Sequence, residues 1–458
     1  MTITLEDIFN IPTAKIYNPD LYKSVTSVSI DTRSLKKKSL YVAIKGKSFD
    51  GHNYIEEAVN KGACAVLISN RKLNSVTDLD IPIITVQSTK KAYGELANIW
   101  RKKFKAKVVS ITGSNGKTST KEITKQLLAE KYIVHSTHAN NNNDIGVPLT
   151  LLSTPKNAEV VVLEHGTNHF GEIEYTAKIA QPDVALITNI GNSHIEYLKN
   201  KRGVLKEKIE LFNNVNPDGK ILINNDDVLL TEQKQNFKNK IVYGYNGRAI
   251  IKGYRKGYSS DGNEKIKVKY KNINVDLILP LLGESNANNF LSALAICFEM
   301  GLTKKQIISG TKKVQQISKR LEKKDFKKFV IIDDTYNANP ESVNNALMVL
   351  SKYKSMKNKI AILGDMGELG KDVVKFHKGL AKTIKENGIT TVLTIGNNSK
   401  HLFSELNKSV SLKKHFSQRD KMKEFISEMD LSESVILVKG SRYMKMEEFV
   451  EVLEKRAA

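Results

Sequence analysis

Short runs of aliphatic and β-branched residues, most of them followed by a stretch with helical apolar spacing, recur along nearly the whole chain. Near the start the apolar runs cover residues 27–30, 39–44, 65–68 and 83–86, with helices predicted over 54–61 and 90–103. Val108, Val109 and Ile111 form the next run, and Glu122, Ile123, Leu127 and Leu128 follow at helical spacing. A strand is predicted over 132–135 and an apolar helix from near Pro148. Residues 159–163 and 184–188 are continuous apolar runs, the pattern of strands buried on both faces of a parallel sheet. Short strands and turns fill 221–282, and a buried small-residue helix is predicted over 289–300. Beyond about residue 317 the strand-then-loop rhythm returns at 329–332, 360–363, 391–395 and 435–438.

This alternation predicts an α/β chain, and a length of 458 residues predicts more than one core. We expect a small N-terminal α/β domain over 1–85, a central doubly wound, mainly parallel sheet over 86–315, and a C-terminal Rossmann-like domain over 316–458. The last has no three-glycine dinucleotide fingerprint after any strand and is expected to handle substrate.

Composition narrows the setting. Cys64 and Cys297 each sit in apolar context, which predicts reduced thiols and no disulfide. The start MTITLEDIFNI lacks the basic, then apolar, pattern of a secretory signal, and no run reaches the roughly 18 apolar residues of a membrane span, so a soluble cytoplasmic protein without membrane insertion is expected. Lys plus Arg exceeds Asp plus Glu by 72 to 49, a formal charge of +23 that favours anionic ligands. The lysine runs at 36–38, 323–324 and 327–328 read as solvated surface, and without the aromatic and basic motifs of RNA-binding folds no nucleic-acid partner is expected.

The chemistry is most concentrated at VVSITGSNGKTSTK, residues 108–121. An apolar strand breaks at Gly113, and Gly116, Lys117 and Thr118 lead into a helix. Glycines let backbone N–H groups close on a polyphosphate at the positive end of the helix dipole. Lys117 would reach the β and γ phosphates and Thr118 a magnesium ion, with Ser114, Asn115 and Ser119 completing the loop. The standard first glycine is replaced by Ile111, so the loop is a shortened form.

Ligands of doubly wound sheets sit beyond the carboxyl ends of the strands. Glu164 and His194 follow two such strands and are candidate metal ligands, although helix capping for Glu164 and a hydrogen-bonded loop role for His194 are the plainer alternatives. Lys206, Glu207, Lys208 and Glu210 read as a solvated helix face, and Asn286 and Asn289 as helix caps or as partners of an adenine edge. In the N-terminal segment, Thr32, Arg33, Lys45, Gly46, Asp50 and His52 either gather as a pocket for an anionic ligand or serve as ordinary polar turns.

Together these pieces resemble the Mur ligases of peptidoglycan synthesis over essentially the whole chain. The resemblance is carried by DTRSLKKKSLYVAIKGKSFDGH, TGSNGKTSTKE, NNNDIGVPLTLL, DDTYNANPES, ILGDMGELG and LVKGSR. Of these, DDTYNANPES points to the branch that adds D-alanyl-D-alanine to a UDP-N-acetylmuramoyl tripeptide. The resemblance implies an ATP- and magnesium-dependent amide ligase working through an acyl phosphate, and a role in cell-wall formation. The protein would act as a monomer.

By residue, it implies Lys117 and Thr118 at the phosphates and magnesium, Glu164 and His194 as metal-binding residues, and Lys208 as a lysine that is carbamylated to help hold a second magnesium. It implies Asn286 and Asn289 on the adenine side, Arg320 and Asp334 brought to ATP by the C-terminal domain, and the N-terminal group at the uridine diphosphate. Three positions depart from the pattern: His165 stands where an apolar residue is usual, Ser285 where a histidine is, and KEKIELF lacks the usual glycine. The competing expectations are a related ligase adding the third amino acid, a folylpolyglutamate synthase, a nucleic-acid-stimulated P-loop NTPase and a non-catalytic nucleotide binder.

Overall fold

The computed structural model describes residues 1–259, 263–353, 356–406 and 410–457. The apolar runs become strands of three separate sheets. The first is five-stranded, in spatial order Lys15–Tyr17, Ile83–Val86, Ala63–Ser69, Ser39–Val42 and Ser27–Ser29, parallel except at Lys15–Tyr17. The third is six-stranded, with Phe329–Asp334, Ser434–Lys439, Asn358–Gly364, Thr391–Ile395 and Leu412–Phe416 parallel and Glu322–Asp325 antiparallel at the edge.

Between them in sequence lies a nine-stranded sheet. Its buried heart is Val184–Ile187, Lys107–Thr112 and Val160–Glu164, side by side and parallel, with Ile111 in register with Glu164 and Thr112 with Ile187. Val134–Ser136 closes one edge, and Lys220–Asn224, Lys240–Gly244 and Ile251–Tyr258 extend the parallel part the other way. Glu264–Tyr270 and Ile273–Ile278 add an antiparallel end whose alternate residues are buried, the pattern of a sheet with one wet face.

Among the described residues three strands lie outside the apolar runs, Lys15–Tyr17, Glu322–Asp325 and Leu412–Phe416, each at a sheet edge. Glu322–Asp325 and Leu412–Phe416 are edge strands in which charged residues replace the apolar run, since an edge strand needs only one neighbour and tolerates lysine. The run Lys323–Lys324 is therefore part of a sheet; Lys324 reaches Glu454 at 2.7 Å.

The first two sheets share one core. The helix Thr89–Lys103 buries Tyr93, Leu96, Ala97 and Trp100 in a cluster that includes Leu40, Leu67 and Ile84 on one side and Val108, Val161 and Leu163 on the other. Arg101, buried at the end of this helix, donates to the carbonyls of Ala180 and Gln181 and pairs with Asp183 at 2.9 Å, which in turn accepts from the Val108 N–H. The helix is thus bonded to the start of the phosphate-loop strand. At Gly94 it presses on the helix Glu172–Ala180 so closely that a Cβ would lie 2.3 Å from Tyr175 Oη. Both cysteines are free, Cys297 buried and Cys64 half-buried. Among the described residues no helix is long and apolar enough to cross a membrane.

His165, the residue after Glu164, is fully buried and bridges two layers, with Nδ1 2.9 Å from Thr176 Oγ1 and Nε2 2.9 Å from Ser110 Oγ. Burial pushes its pKa down to about 3, so it stays neutral and links strand to helix.

Both contacts can be tested by substitution. Gly94→Ala introduces overpacking worth about 1–3 kcal/mol, which outweighs the gain of about 1 kcal/mol in helix propensity. Its thermal midpoint should fall, and adding Tyr175→Phe should recover part of the loss; an unchanged midpoint in Gly94→Ala would contradict the close contact. For His165 the folded pKa lies below the unfolded value, so its share of stability is complete above about pH 6.5 and drains away as pH falls toward 3, at about 1.4 kcal/mol per unit. Between pH 7.5 and 5 the wild type should lose about 2 kcal/mol more than His165→Met in urea unfolding; equal losses would refute a neutral buried histidine.

Candidate active site

The phosphate loop connects Lys107–Thr112 to the helix Lys117–Leu128. Gly113 and Gly116 have φ of 151° and 80°, and a Cβ would lie 1.8 Å from Thr188 Oγ1 at the first and 2.0 Å from Asn289 Oδ1 at the second. Only glycine allows both the turn and the approach. The segment after Val184–Ile187 braces the loop: the Ser114 N–H donates to the Asn189 carbonyl, the Asn115 N–H to Asn189 Oδ1, and the Gly191 N–H to Ser114 Oγ. Lys117 is folded back, its Nζ donating to the Gly113 carbonyl at 2.7 Å. Burial holds its ammonium below the ordinary lysine range, against the pull of Glu164. Ser119 lies buried one turn into the helix.

Glu164 ends its strand beside this loop. Its Oε1 accepts from Thr118 Oγ1 at 3.0 Å and from Asn142 Nδ2 at 2.8 Å, while Oε2 is buried with no hydrogen-bond partner among the described residues. Helix capping is therefore not its role. His194 precedes the short helix Ile195–Leu198 in the left-handed region, φ 54°, and its Nδ1 lies 2.7 Å from Glu368 Oε2 of the third sheet's loop. The carboxylate sits off the ring N–H direction, so this is a close polar contact that is not aligned as a hydrogen bond.

The helix Lys201–Asn213 corrects the solvated-face reading for two of its charges. Glu207 and Lys208 are buried. The Glu207 carboxylate accepts from the Gly171 and Ile173 N–H groups and from Thr167 Oγ1, capping the helix Glu172–Ala180. Lys208 is fully buried, with no hydrogen-bond partner for Nζ among the described residues, and burial, then the repulsion of Lys117, holds its amine well below the ordinary lysine range.

These atoms bear on the magnesium that the resemblance implies. Among the described residues no three or more His, Cys, Asp or Glu side chains cluster as a self-sufficient metal site. The free oxygen of Glu164 and the hydroxyl of Thr118 are hard oxygen donors, which fits an ion that takes its other ligands from a nucleotide and from water. The unpartnered Lys208 Nζ fits a lysine whose amine becomes a carbamate.

The third sheet's loops complete the other wall of a cavity of about 790 Å3. Arg320 lies over the Tyr336 ring at 3.9 Å and donates to Thr118 Oγ1 at 3.0 Å. Asn339 Nδ2 donates to Asn115 Oδ1 at 2.7 Å, and Glu341 Oε1 accepts from the Asn192 N–H at 3.0 Å. Asp334 lines the cavity but is tied to Lys439 at 2.6 Å and accepts from the Leu321 N–H, and burial raises its pKa. Asn286 and Asn289 also line it. The capping alternative for them fails, because both lie inside their helix, Glu284–Glu299, whose cap is Gly283. Asn286 donates to the Leu282 carbonyl, and Asn289 packs under Gly116.

Sequence reasoning missed Asn142, Asn192, Tyr336, Asn339, Glu341 and Glu368 as site residues. The strand-end rule that singled out Glu164 and His194 applies equally to the loops after Phe329–Asp334 and Asn358–Gly364, which carry the last four.

A second cavity, of about 960 Å3, lies between the first sheet and the segment 149–156. Thr32 and Arg33 line it, together with Phe49 and Tyr54, but Lys45, Gly46, Asp50 and His52 do not. The reason is local: Asp50 Oδ1 holds both the N–H and Nδ1 of His52, and His52 Nε2 accepts from the Ser69 N–H, so both side chains are engaged in the turn. Gly46 donates to the Phe49 carbonyl, and Lys45 bridges Asp50, closing a small hairpin that presents Phe49. Arg33 forks onto Asp31 at 2.6 Å with its side chain 86% exposed.

The comparisons agree along the chain. Residues 24–101 match the Mur ligase family catalytic domain, 111–297 the Mur ligase middle domain, and 319–442 the Mur ligase glutamate ligase domain. The chain is 34% identical to the UDP-N-acetylmuramoyl-tripeptide–D-alanyl-D-alanine ligase of Buchnera aphidicola, covering 100% of this chain and 99% of that one. It is 33% identical to the Escherichia coli protein of the same name over 99% of both. Among solved structures, MurF from Acinetobacter baumannii superposes with a TM-score of 0.89 at 26% identity over 99% of each chain. MurF ligase from Thermotoga maritima in complex with ADP gives 0.84 at 26% identity, covering 94% of this chain and 97% of that one. With relatives matched end to end and all three family domains in order, the chain belongs to the Mur ligase family.

Proposed function

We propose that this chain joins D-alanyl-D-alanine to UDP-N-acetylmuramoyl-tripeptide, coupled to cleavage of ATP. The relatives named for that reaction cover the chain from end to end. The observation that carries the chemistry is the shared cavity: the phosphate loop and Glu164 form one wall, and Arg320, Tyr336 and the strand-end loops of the third sheet form the other. An acyl group activated at the loop would meet its amine there. The UDP moiety would occupy the cavity of about 960 Å3 at the first sheet. The ATP and UDP-linked substrates support a cytoplasmic reaction.

In the first step the tripeptide's terminal carboxylate oxygen bonds to the γ phosphorus and the bond to the β-γ bridging oxygen breaks, releasing ADP and leaving an acyl phosphate. Lys117 leaves the Gly113 carbonyl for the phosphoryl oxygens, and the loop N–H groups and Arg320 hold the charge that spreads over them. Glu164 and Thr118 would hold a magnesium ion, which would supply positive charge to offset that of the phosphate oxygens. In the second step the dipeptide's neutral amine attacks the acyl carbon, and the C–O bond to phosphate breaks as the nitrogen loses its proton. Water must be kept out meanwhile, and the contacts of Asn339 with Asn115 and of Glu341 with Asn192 close that side of the cavity.

Lys208 has a separate task in this reading. Kept neutral by burial, its amine adds to carbon dioxide and loses a proton, giving a carbamate that would add a second negative oxygen donor beside Lys117, after Glu164.

Phosphate release should require ATP, the UDP-tripeptide and D-Ala-D-Ala together, with a product heavier than the acceptor by the dipeptide less water. Release indifferent to both peptides but raised by RNA or DNA would overturn the proposal. Lys117→Ala should lower kcat by about a hundredfold or more. Lys208→Ala should do likewise, and native mass spectrometry in bicarbonate should show one labile CO2 on the wild type that Lys208→Ala lacks; full activity in Lys208→Ala would remove the carbamate from the mechanism.

A further inference from the structure

Two residues that face each other across the central and third sheets share an unusual backbone. His194 has φ 54° and Glu368 has φ 61°, both in the left-handed region without being glycine. Their side chains meet at 2.7 Å. Such backbone persists where the surroundings over-determine it, and it clusters at functional sites.

The loop that carries Glu368 is held from three sides. The Met366 N–H donates to His377 Nε2, the Gly367 N–H to Ser441 Oγ, and the Asp365 carboxylate accepts from the Asn398 and Ser399 N–H groups. Its neighbour Gly367 is a glycine, yet the left-handed position itself holds a glutamate. That placement aims a carboxylate into the cavity it shares with Lys117, Glu164 and His194.

We propose that Glu368 is a positioning residue for this ligase: it fixes the ring of His194 and the short helix Ile195–Leu198 when the third sheet's loops sit on the phosphate loop. The contact is not aligned as a hydrogen bond, so Glu368 acts here by position: a carboxylate 2.7 Å from Nδ1 limits where the ring can sit, and a small turn of the ring brings the Nδ1–H onto it. Since the carboxylate comes from the third sheet and the imidazole from the central one, the orientation exists only while the two halves of the cavity are together. The contact thereby makes the phosphate wall complete only in the closed cavity. This rests on the ligase reading above.

Glu368→Gly is the deciding variant, because glycine relieves the backbone strain. A purely structural role predicts equal or higher thermal stability and wild-type kinetics. The positioning role predicts equal or higher stability with kcat lowered by about tenfold or more, little change in KM for ATP, and faster hydrogen exchange at Ile195–Leu198 without ligand. Glu368→Gln, which keeps an oxygen acceptor, should lose less. Glu433→Gly supplies the control: Glu433 also has positive φ, 50°, but its side chain pairs with Lys357 at 2.6 Å, so relief there should leave kcat unchanged. Wild-type kcat and wild-type exchange in Glu368→Gly overturn the positioning role alone. Failure of the wild type to need both peptides would instead overturn the ligase reading.

Discussion

A polyphosphate can be held tightly by backbone N–H groups only where the chain approaches it without side chains in the way, and in this protein that approach also packs the loop against its own neighbours. Gly113 lies against Thr188 and Gly116 against Asn289, so each glycine serves the core and, in the proposed reading, the ligand as well. Thr188 belongs to the strand-end segment that braces Ser114 and Asn115, and Asn289 to a helix almost wholly buried behind the loop. The loop's shape is therefore over-determined from two sides, which is what a site requires to be formed before its ligand arrives.

The same packing places unpartnered groups around the loop. Glu164 uses one oxygen on Thr118 and Asn142 and leaves the other free, and Lys208 Nζ has no hydrogen-bond partner among the described residues. Left permanently so, these atoms would cost stability, since a buried polar group without a hydrogen bond is unfavourable. In the proposed reading that penalty is offset on binding, when the nucleotide and its metal would partner Glu164 and a carbamate would form on Lys208. Glu207, one residue from Lys208, makes the contrast plain: its carboxylate is fully engaged as a helix cap and has nothing left for substrate.

Much of this is legible in the chain because parallel sheets obey a simple rule. Continuous apolar runs locate the strands at 159–163 and 184–188, and the strand ends alone point to Glu164 and His194. Where reading fails, the cause is tertiary. Glu207 and Lys208 look like surface because a helix with charges at close spacing usually is, and only packing against Glu172–Ala180 turns them inward. Asp50 and His52 look like ligand-binding groups because their types are, yet they bond one another within a turn. Glu322–Asp325 and Leu412–Phe416 escape because edge strands carry no apolar signature.

The residues that sequence reasoning missed share a property: most of them act across the gap between two sheets. Asn339, Glu341 and Glu368 matter through Asn115, Asn192 and His194, more than 140 positions away in the chain and on another core. No local pattern encodes such pairs. Physically they are also the right place for control, because contacts between separate cores can form and break without unfolding either. A ligase that must keep an acyl phosphate from water gains from building part of its phosphate wall out of such contacts. The wall is then whole only when the cavity is shut, and the reactive intermediate forms only where water has already been excluded.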